Sequence, residues 1–191
     1  MIIYPRPRPT DLEVKRMPAR LSRLNADGTF EGYASLFHRT DLGGDRVKPG
    51  AFRRSLERRG PDGVKLLWQH DPAEPIGRWL AIGEDGLGLR VRGLLLTDLA
   101  RAREAAALLD AGAVDGLSIG FRTVRASRDT KSGRRDLIEI DLWEISIVTF
   151  PLLPDARIAP VSVRHALRPE AVSGALADAF RRGAARLSTF T

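Results

Sequence analysis

The chain has 191 residues, 43% hydrophobic and 29% charged, and its 31 basic and 24 acidic side chains leave a net charge of +7. That length suits one domain with a sizeable core, and the usage is ordinary for a globular protein. The absence of cysteine excludes a disulfide framework and thiol catalysis and fits a cytosolic protein, and no apolar run approaches the roughly 20 residues of a membrane-spanning helix.

Residues 1–18 are rich in proline and arginine and read as a flexible arm. The apolar residues of Met1-Ile2-Ile3-Tyr4 precede the basic ones, which is not the order of a signal peptide. Asn25-Ala26-Asp27-Gly28 is a turn signal, so residues 19–37 read as a hairpin. His38 to Lys48 reads as a loop. Pro49-Gly50 opens a short helix, Ala51 to Arg59, which Gly60 stops.

Val64 to Gln69 reads as a strand. Ile76 to Ile82 and Leu87 to Leu96 flank Glu84-Asp85-Gly86 as a second hairpin, the latter run alternating apolar residues with Arg90 and Arg92. Thr97 or Asp98 is expected to cap an Ala/Leu-rich helix ending near Gly112. Two long strands follow, Leu117 to Ala126 and Asp136 to Phe150, joined by the polar turn Ser127 to Gly133 and ended by Pro151. A short strand is expected near Arg157 to Val163, and residues 169–186 carry helical spacing at Val172, Leu176 and Phe180. The expected architecture is mainly β with a few helices (α+β), a small, partly closed antiparallel β-barrel spanning residues 19–165, followed by an Ala-rich helical tail over 166–191.

The basic excess is spread along the chain, aromatic content is 6%, and no basic–aromatic strip suited to base stacking appears. An acidic protein partner fits this charge better than a specific nucleic acid or a membrane. No His/Asp/Glu cluster has metal-ligand spacing, so neither metal nor cofactor is expected.

The chemistry that remains is a serine activated by a histidine. Ser118 lies in Gly116-Leu117-Ser118-Ile119-Gly120, at the start of an apolar strand. This matches G-x-S-x-G, but a nucleophile elbow needs strand, serine, helix, and here the order is helix, serine, strand. Ser118 reads either as a polar residue on an exposed strand face or as a nucleophile whose flanking glycines admit a substrate backbone. His70 ends an apolar strand beside Asp71-Pro72 and reads either as a structural histidine or as the base, with His38 and His165 as the other imidazoles. Glu144, in the middle of the apolar strand Leu142 to Val148, needs a partner: an arginine across the sheet, or an imidazole that it orients. Asp71 and Glu139 are weaker candidates for that role.

Gly32-Tyr33-Ala34-Ser35-Leu36-Phe37, Gly44-Asp45-Arg46-Val47-Lys48-Pro49-Gly50-Ala51-Phe52, Leu67-Trp68-Gln69-His70-Asp71, Pro75-Ile76-Gly77, Gly116 to Phe121 and Asp141 to Thr149 occur in that order, then Pro151. Together they resemble the prohead protease family of tailed bacteriophages over roughly residues 29–163. The resemblance implies a fold like the herpesvirus assembly protease, an antiparallel barrel wrapped by helices, with His70 and Ser118 as the catalytic pair. The herpesvirus enzymes use a second histidine as third member; the phage family is similar in placing an acid there, which here is Glu144. Gly120 and Arg157 are expected to assist the oxyanion or the substrate.

The same resemblance implies a serine endopeptidase that cuts the scaffolding segment of the major capsid protein and its own ends. It would act inside the immature shell, in the bacterial host cytoplasm, for a phage or a gene-transfer particle, and could form a homodimer. The alternative function is a non-catalytic capsid-assembly or scaffold protein that keeps the same fold.

Overall fold

The computed structural model describes residues 24–130 and 133–160; the N-terminal arm, His165 and the Ala-rich tail lie outside them. The element order is β1 (Thr29–Leu36), β2 (Asp45–Val47), α1 (Arg53–Arg59), β3 (Lys65–Trp68), β4 (Asp71–Glu84), β5 (Gly88–Leu95), α2 (Ala100–Asp110), β6 (Gly116–Arg128) and β7 (Arg135–Val148). The strands form one sheet in the order β1-β5-β4-β3-β7-β2, with β6 also on β7.

The sheet curls into a partly closed barrel, and the segment after β7 draws its ends together. Tyr33 donates its backbone N–H to the carbonyl of Arg157, and Ala159 donates to Glu31, both on β1. Leu117 of β6 donates to Ala156, and Ile158 donates to Asp115. Gly32 takes part because a Cβ there would lie 2.4 Å from the Arg157 carbonyl oxygen. Residues 157 and 158 make isolated bridges to Gly116 and Gly32; the short strand expected near Arg157 to Val163 lies partly outside the described residues.

Strand alternation builds the core. On β1 and β5, Phe30, Leu89 and Val91 are fully buried, and Trp79 of β4 meets Phe30 edge-on with ring centroids 5.6 Å apart. Gly93 leaves room for this pair, since a Cβ there would lie 2.4 Å from the Phe30 ring. Helix α1 and the turn before it cover one side: Ala51 accepts the N–H of Ile140, and buried Ser55 accepts that of Leu142. Glu84 holds the approach to α1 by accepting the N–H groups of Gly50 and Phe52. Helix α2 buries Ala102, Ala105 and Leu109.

Four local expectations are revised. Asp45–Val47, read as loop, pairs parallel with β7, because Arg46 reaches Asp136 and Arg135 reaches Asp45 across the pair. Strand β4 begins at Asp71 rather than Ile76; Pro72 and Pro75 are tolerated because the β3/β4 register is irregular there. Neither Thr97 nor Asp98 caps α2: Leu99 is the N-cap, without a side-chain bond, and Arg103 takes the carbonyls of Thr97 and Asp98. The sheet is not wholly antiparallel, since β2 and β3 both run parallel to β7. The chain crosses through β4, β5, α2 and β6 between β3 and β7, which is the long connection a parallel pair requires.

Replacing Phe30 by Ala removes one partner of the central aromatic pair at a site with no exposed surface. The expected loss is about 3–5 kcal/mol of unfolding free energy, measured by urea denaturation.

Candidate active site

Strand β7 lies between β3 and β6 over residues 144–147, and this arrangement assembles the site. Its β3 edge pairs Leu67 with Ser146 and Lys65 with Glu144; its β6 edge pairs Ser118 with Ser146 and Gly120 with Glu144. Side chains directly opposite in register share a face, and successive residues alternate faces. Ile145 and Ile147 are core residues, so Glu144 and Ser146 fall on the other face, with Ser118 beside them.

His70 follows β3 in a tight turn where Gln69 and His70 both have left-handed backbones, φ 53° and 63°. Neither is a glycine, so each conformation costs about 1–2 kcal/mol and needs support from its surroundings. Support comes from β7. Gln69 donates its N–H to the Ile147 carbonyl at 3.0 Å, and its side chain exchanges hydrogen bonds with Thr149. The backbone N–H of His70 donates to the hydroxyl of Ser146 at 3.1 Å.

The His70 ring is joined to Glu144, with Nδ1 2.7 Å from Oε1. An ionised carboxylate can only accept, so Nδ1 carries the proton and Nε2 is left as the basic nitrogen of the neutral ring. The other carboxylate oxygen, Oε2, accepts the hydroxyl proton of Ser146 at 2.6 Å. The carboxylate needs the space beside Gly120, where a Cβ would lie 2.0 Å from Oε1. The hydrogen bond to Glu144 raises the His70 pKa above its ordinary 6.5, partial burial opposes the shift, and the carboxylate's charge adds to it.

The two serines differ in access. Ser146 has no exposed surface and its hydroxyl is engaged on both sides. Ser118 is 9% exposed, its hydroxyl has no hydrogen-bond partner among the described residues, and it lines a shallow groove with Ala34, Leu36, Val47, Phe121 and Leu152, beside the charged Arg39, Asp41 and Asp45. A reacting hydroxyl must be free of other bonds; that of Ser118 makes none among the described residues, whereas that of Ser146 is taken up on both sides.

The structure therefore brings His70, Glu144 and the backbone of Ser118 to one part of the sheet. Glu144 is partnered by an imidazole and not by an arginine. Asp71 is exposed and accepts the N–H of Ala73, Glu139 pairs with Arg54, and His38 is exposed. Arg157 is committed elsewhere: its Nε donates to the Pro154 carbonyl at 2.8 Å, and its guanidinium pairs with Asp115. The glycines flanking Ser118 make room for the protein itself. Gly120 accommodates Glu144, and Gly116 faces the Val148 carbonyl and Pro151. Ser118 lies inside β6, which excludes a strand-to-helix elbow. Sequence reasoning missed Ser146; the available signal was its two-residue spacing from Glu144, which puts both on one face of a strand.

This fold is shared with two viral proteases. The bacteriophage T4 capsid assembly protease matches with a TM-score of 0.52 at 15% identity, over 63% of this chain and 80% of that one. The KSHV protease, solved with a hexapeptide phosphonate inhibitor, matches with a TM-score of 0.50 at 12% identity, over 83% of this chain and 76% of that one. Sequence narrows the class: residues 15–169 match the family described as caudovirus prohead serine protease, and the chain belongs to that family. The prohead protease of Enterobacteria phage HK97 is 38% identical over 134 residues, which cover 69% of this chain and 59% of that protein. The chain thus spans less than two thirds of that relative's length.

In Glu144→Gln the charge facing Nδ1 is lost, and the His70 pKa is expected to fall toward 6.5, read by NMR titration of the imidazole. The pair also makes stability depend on pH. Because the folded pKa is raised, its contribution is complete below the unfolded value of 6.5. It is lost as pH rises through the higher folded value. Denaturation midpoints of the wild type and Glu144→Gln should converge above that range.

Proposed function

We propose that the protein is a serine endopeptidase of capsid maturation, acting inside the immature shell of a tailed phage or related particle. The observation that carries this reading is the 2.7 Å contact between His70 Nδ1 and Glu144 Oε1, one strand away from a serine whose hydroxyl is uncommitted.

His70 Nε2 takes the proton of the Ser118 hydroxyl as Oγ attacks a peptide carbonyl carbon. The resulting imidazolium is stabilised by Glu144 and then protonates the leaving amine. Water, deprotonated by His70, attacks the acyl-enzyme, and Ser118 regains its proton as the acid product leaves. Gly120 and Arg157 remain the candidates for aiding the oxyanion or the substrate. The ion pair of Arg157 with Asp115 makes Arg157 the weaker of the two, since release from Asp115 would have to come first. The groove beside Ser118, walled largely by aliphatic side chains, suits an extended peptide segment.

The substrate in this reading is the scaffolding segment of the major capsid protein, together with the chain's own terminal segments. Family membership, the 38% identity to a prohead protease and the net positive charge support a capsid-protein substrate.

Ser118→Ala is expected to abolish cleavage of co-expressed capsid protein, a loss of about 10⁴-fold or more, with an unchanged circular dichroism spectrum. Normal processing by this variant would refute the proposal. In the active protein, kcat/KM should fall on acidification through the raised His70 pKa, as the base is protonated. Glu144→Gln should move that acid limb to lower pH, measured as the pH dependence of inactivation by a fluorophosphonate.

A further inference from the structure

Ser146 performs no step in the mechanism, yet its hydroxyl makes two hydrogen bonds within the site. It is fully buried and sits opposite Ser118 on one neighbouring strand and Leu67 on the other. A serine hydroxyl has one proton to donate and lone pairs to accept with. Here the proton goes to Glu144 Oε2, and a lone pair takes the N–H of His70. One atom thus touches both the carboxylate that orients the imidazole and the left-handed backbone that carries it.

We infer that Ser146 is a positioning residue for the proposed catalysis, a two-sided hydrogen-bond clamp that fixes the Glu144 carboxylate and the His70 turn in one geometry. This rests on the reading of His70 and Ser118 as base and nucleophile.

The argument is one of satisfaction and strain. Glu144 is only 14% exposed, so its two oxygens need donors from the protein, and Nδ1 of His70 supplies just one. Without the hydroxyl, Oε2 loses its strong partner and the carboxylate can rotate away from Nδ1. At the same time the His70 N–H loses its acceptor, in a turn whose backbone conformation is already unfavourable. Both changes act on the direction in which the imidazole points. No other hydroxyl is bonded to Glu144 or to the His70 N–H among the described residues.

The test uses the full chain with Ser146→Ala and Ser146→Thr, the second keeping a hydroxyl. A fluorophosphonate is the probe, and its second-order inactivation rate is measured against pH. Ser146→Ala is expected to slow inactivation about tenfold to hundredfold, the range for losing a hydrogen bond to a charged group. Its His70 titration should shift toward 6.5, and Ser146→Thr should recover much of both losses. In a Glu144→Gln background, Ser146→Ala should cost clearly less than in the wild type, because part of what it holds is already gone.

A folded Ser146→Ala protein with wild-type inactivation rate and wild-type His70 titration would overturn the inference. So would an equal loss in both backgrounds. If the wild type itself fails to react with the probe, the nucleophile reading of Ser118 falls. The His70 titrations of the Ala and Thr variants then still decide whether Ser146 holds the imidazole.

Discussion

The pairing of β7 with β3 on one edge and β6 on the other is the constraint on which the site depends. His70 is carried by the turn after β3, Ser118 by β6, and Glu144 by β7 itself. His70 and Ser118 lie far from Glu144 in the chain, and no local rule brings the three together. A slip of one residue in either register would turn Glu144 and Ser146 toward the core and send Ile145 and Ile147 outward, because side chains alternate across a strand. The register is therefore held by the burial of those isoleucines. The same hydrophobic pattern that stabilises the barrel aligns the polar groups on its other face.

The polar face illustrates how a carboxylate is kept within a mostly buried strand. Glu144 is satisfied at both oxygens, by an imidazole N–H and a serine hydroxyl, and Gly120 provides the volume it occupies. The support for the left-handed Gln69–His70 turn comes from the same strand, through Ile147, Thr149 and Ser146. Strain in the turn and desolvation of the carboxylate are thus compensated by one group of hydrogen bonds. This explains why polar residues cluster here while the opposite face of β7 is apolar.

The rest of the fold holds this strand in place. Helix α1 packs on β7 through Ser55, the turn before it through Ala51, and Arg58 and Arg59 fix Asp141. Residues 156–159 hydrogen bond to both β1 and β6, which fixes the curl of the sheet. Arg157 belongs to this closure: its backbone bonds β1, and its guanidinium bonds Asp115 just before β6. Its isolated bridge to Gly116, at the start of β6, is part of the same closure.

The amino-acid order alone determined the local elements wherever periodicity and turn chemistry were strong. The alternation of Leu87 to Leu96, the Asn25-Ala26-Asp27-Gly28 turn, the helix ended by Gly60 and the two long strands around residues 127–133 are all present near their expected bounds. It also singled out Glu144, because a carboxylate in an apolar strand requires a partner, and the ordered motifs pointed to the family. What only the tertiary structure decided was the partner and the neighbours: that β3 and β7 run parallel, that the carboxylate meets His70 rather than an arginine, that Gly120 is a space for it, and that Ser146 lies between. Asp45–Val47 became a strand for the same kind of reason, being too short to show a period and held by ion pairs to β7. Periodicity reports which face of an element is apolar; it carries no information about which distant strand will pair with it, and the site is made entirely of such pairings.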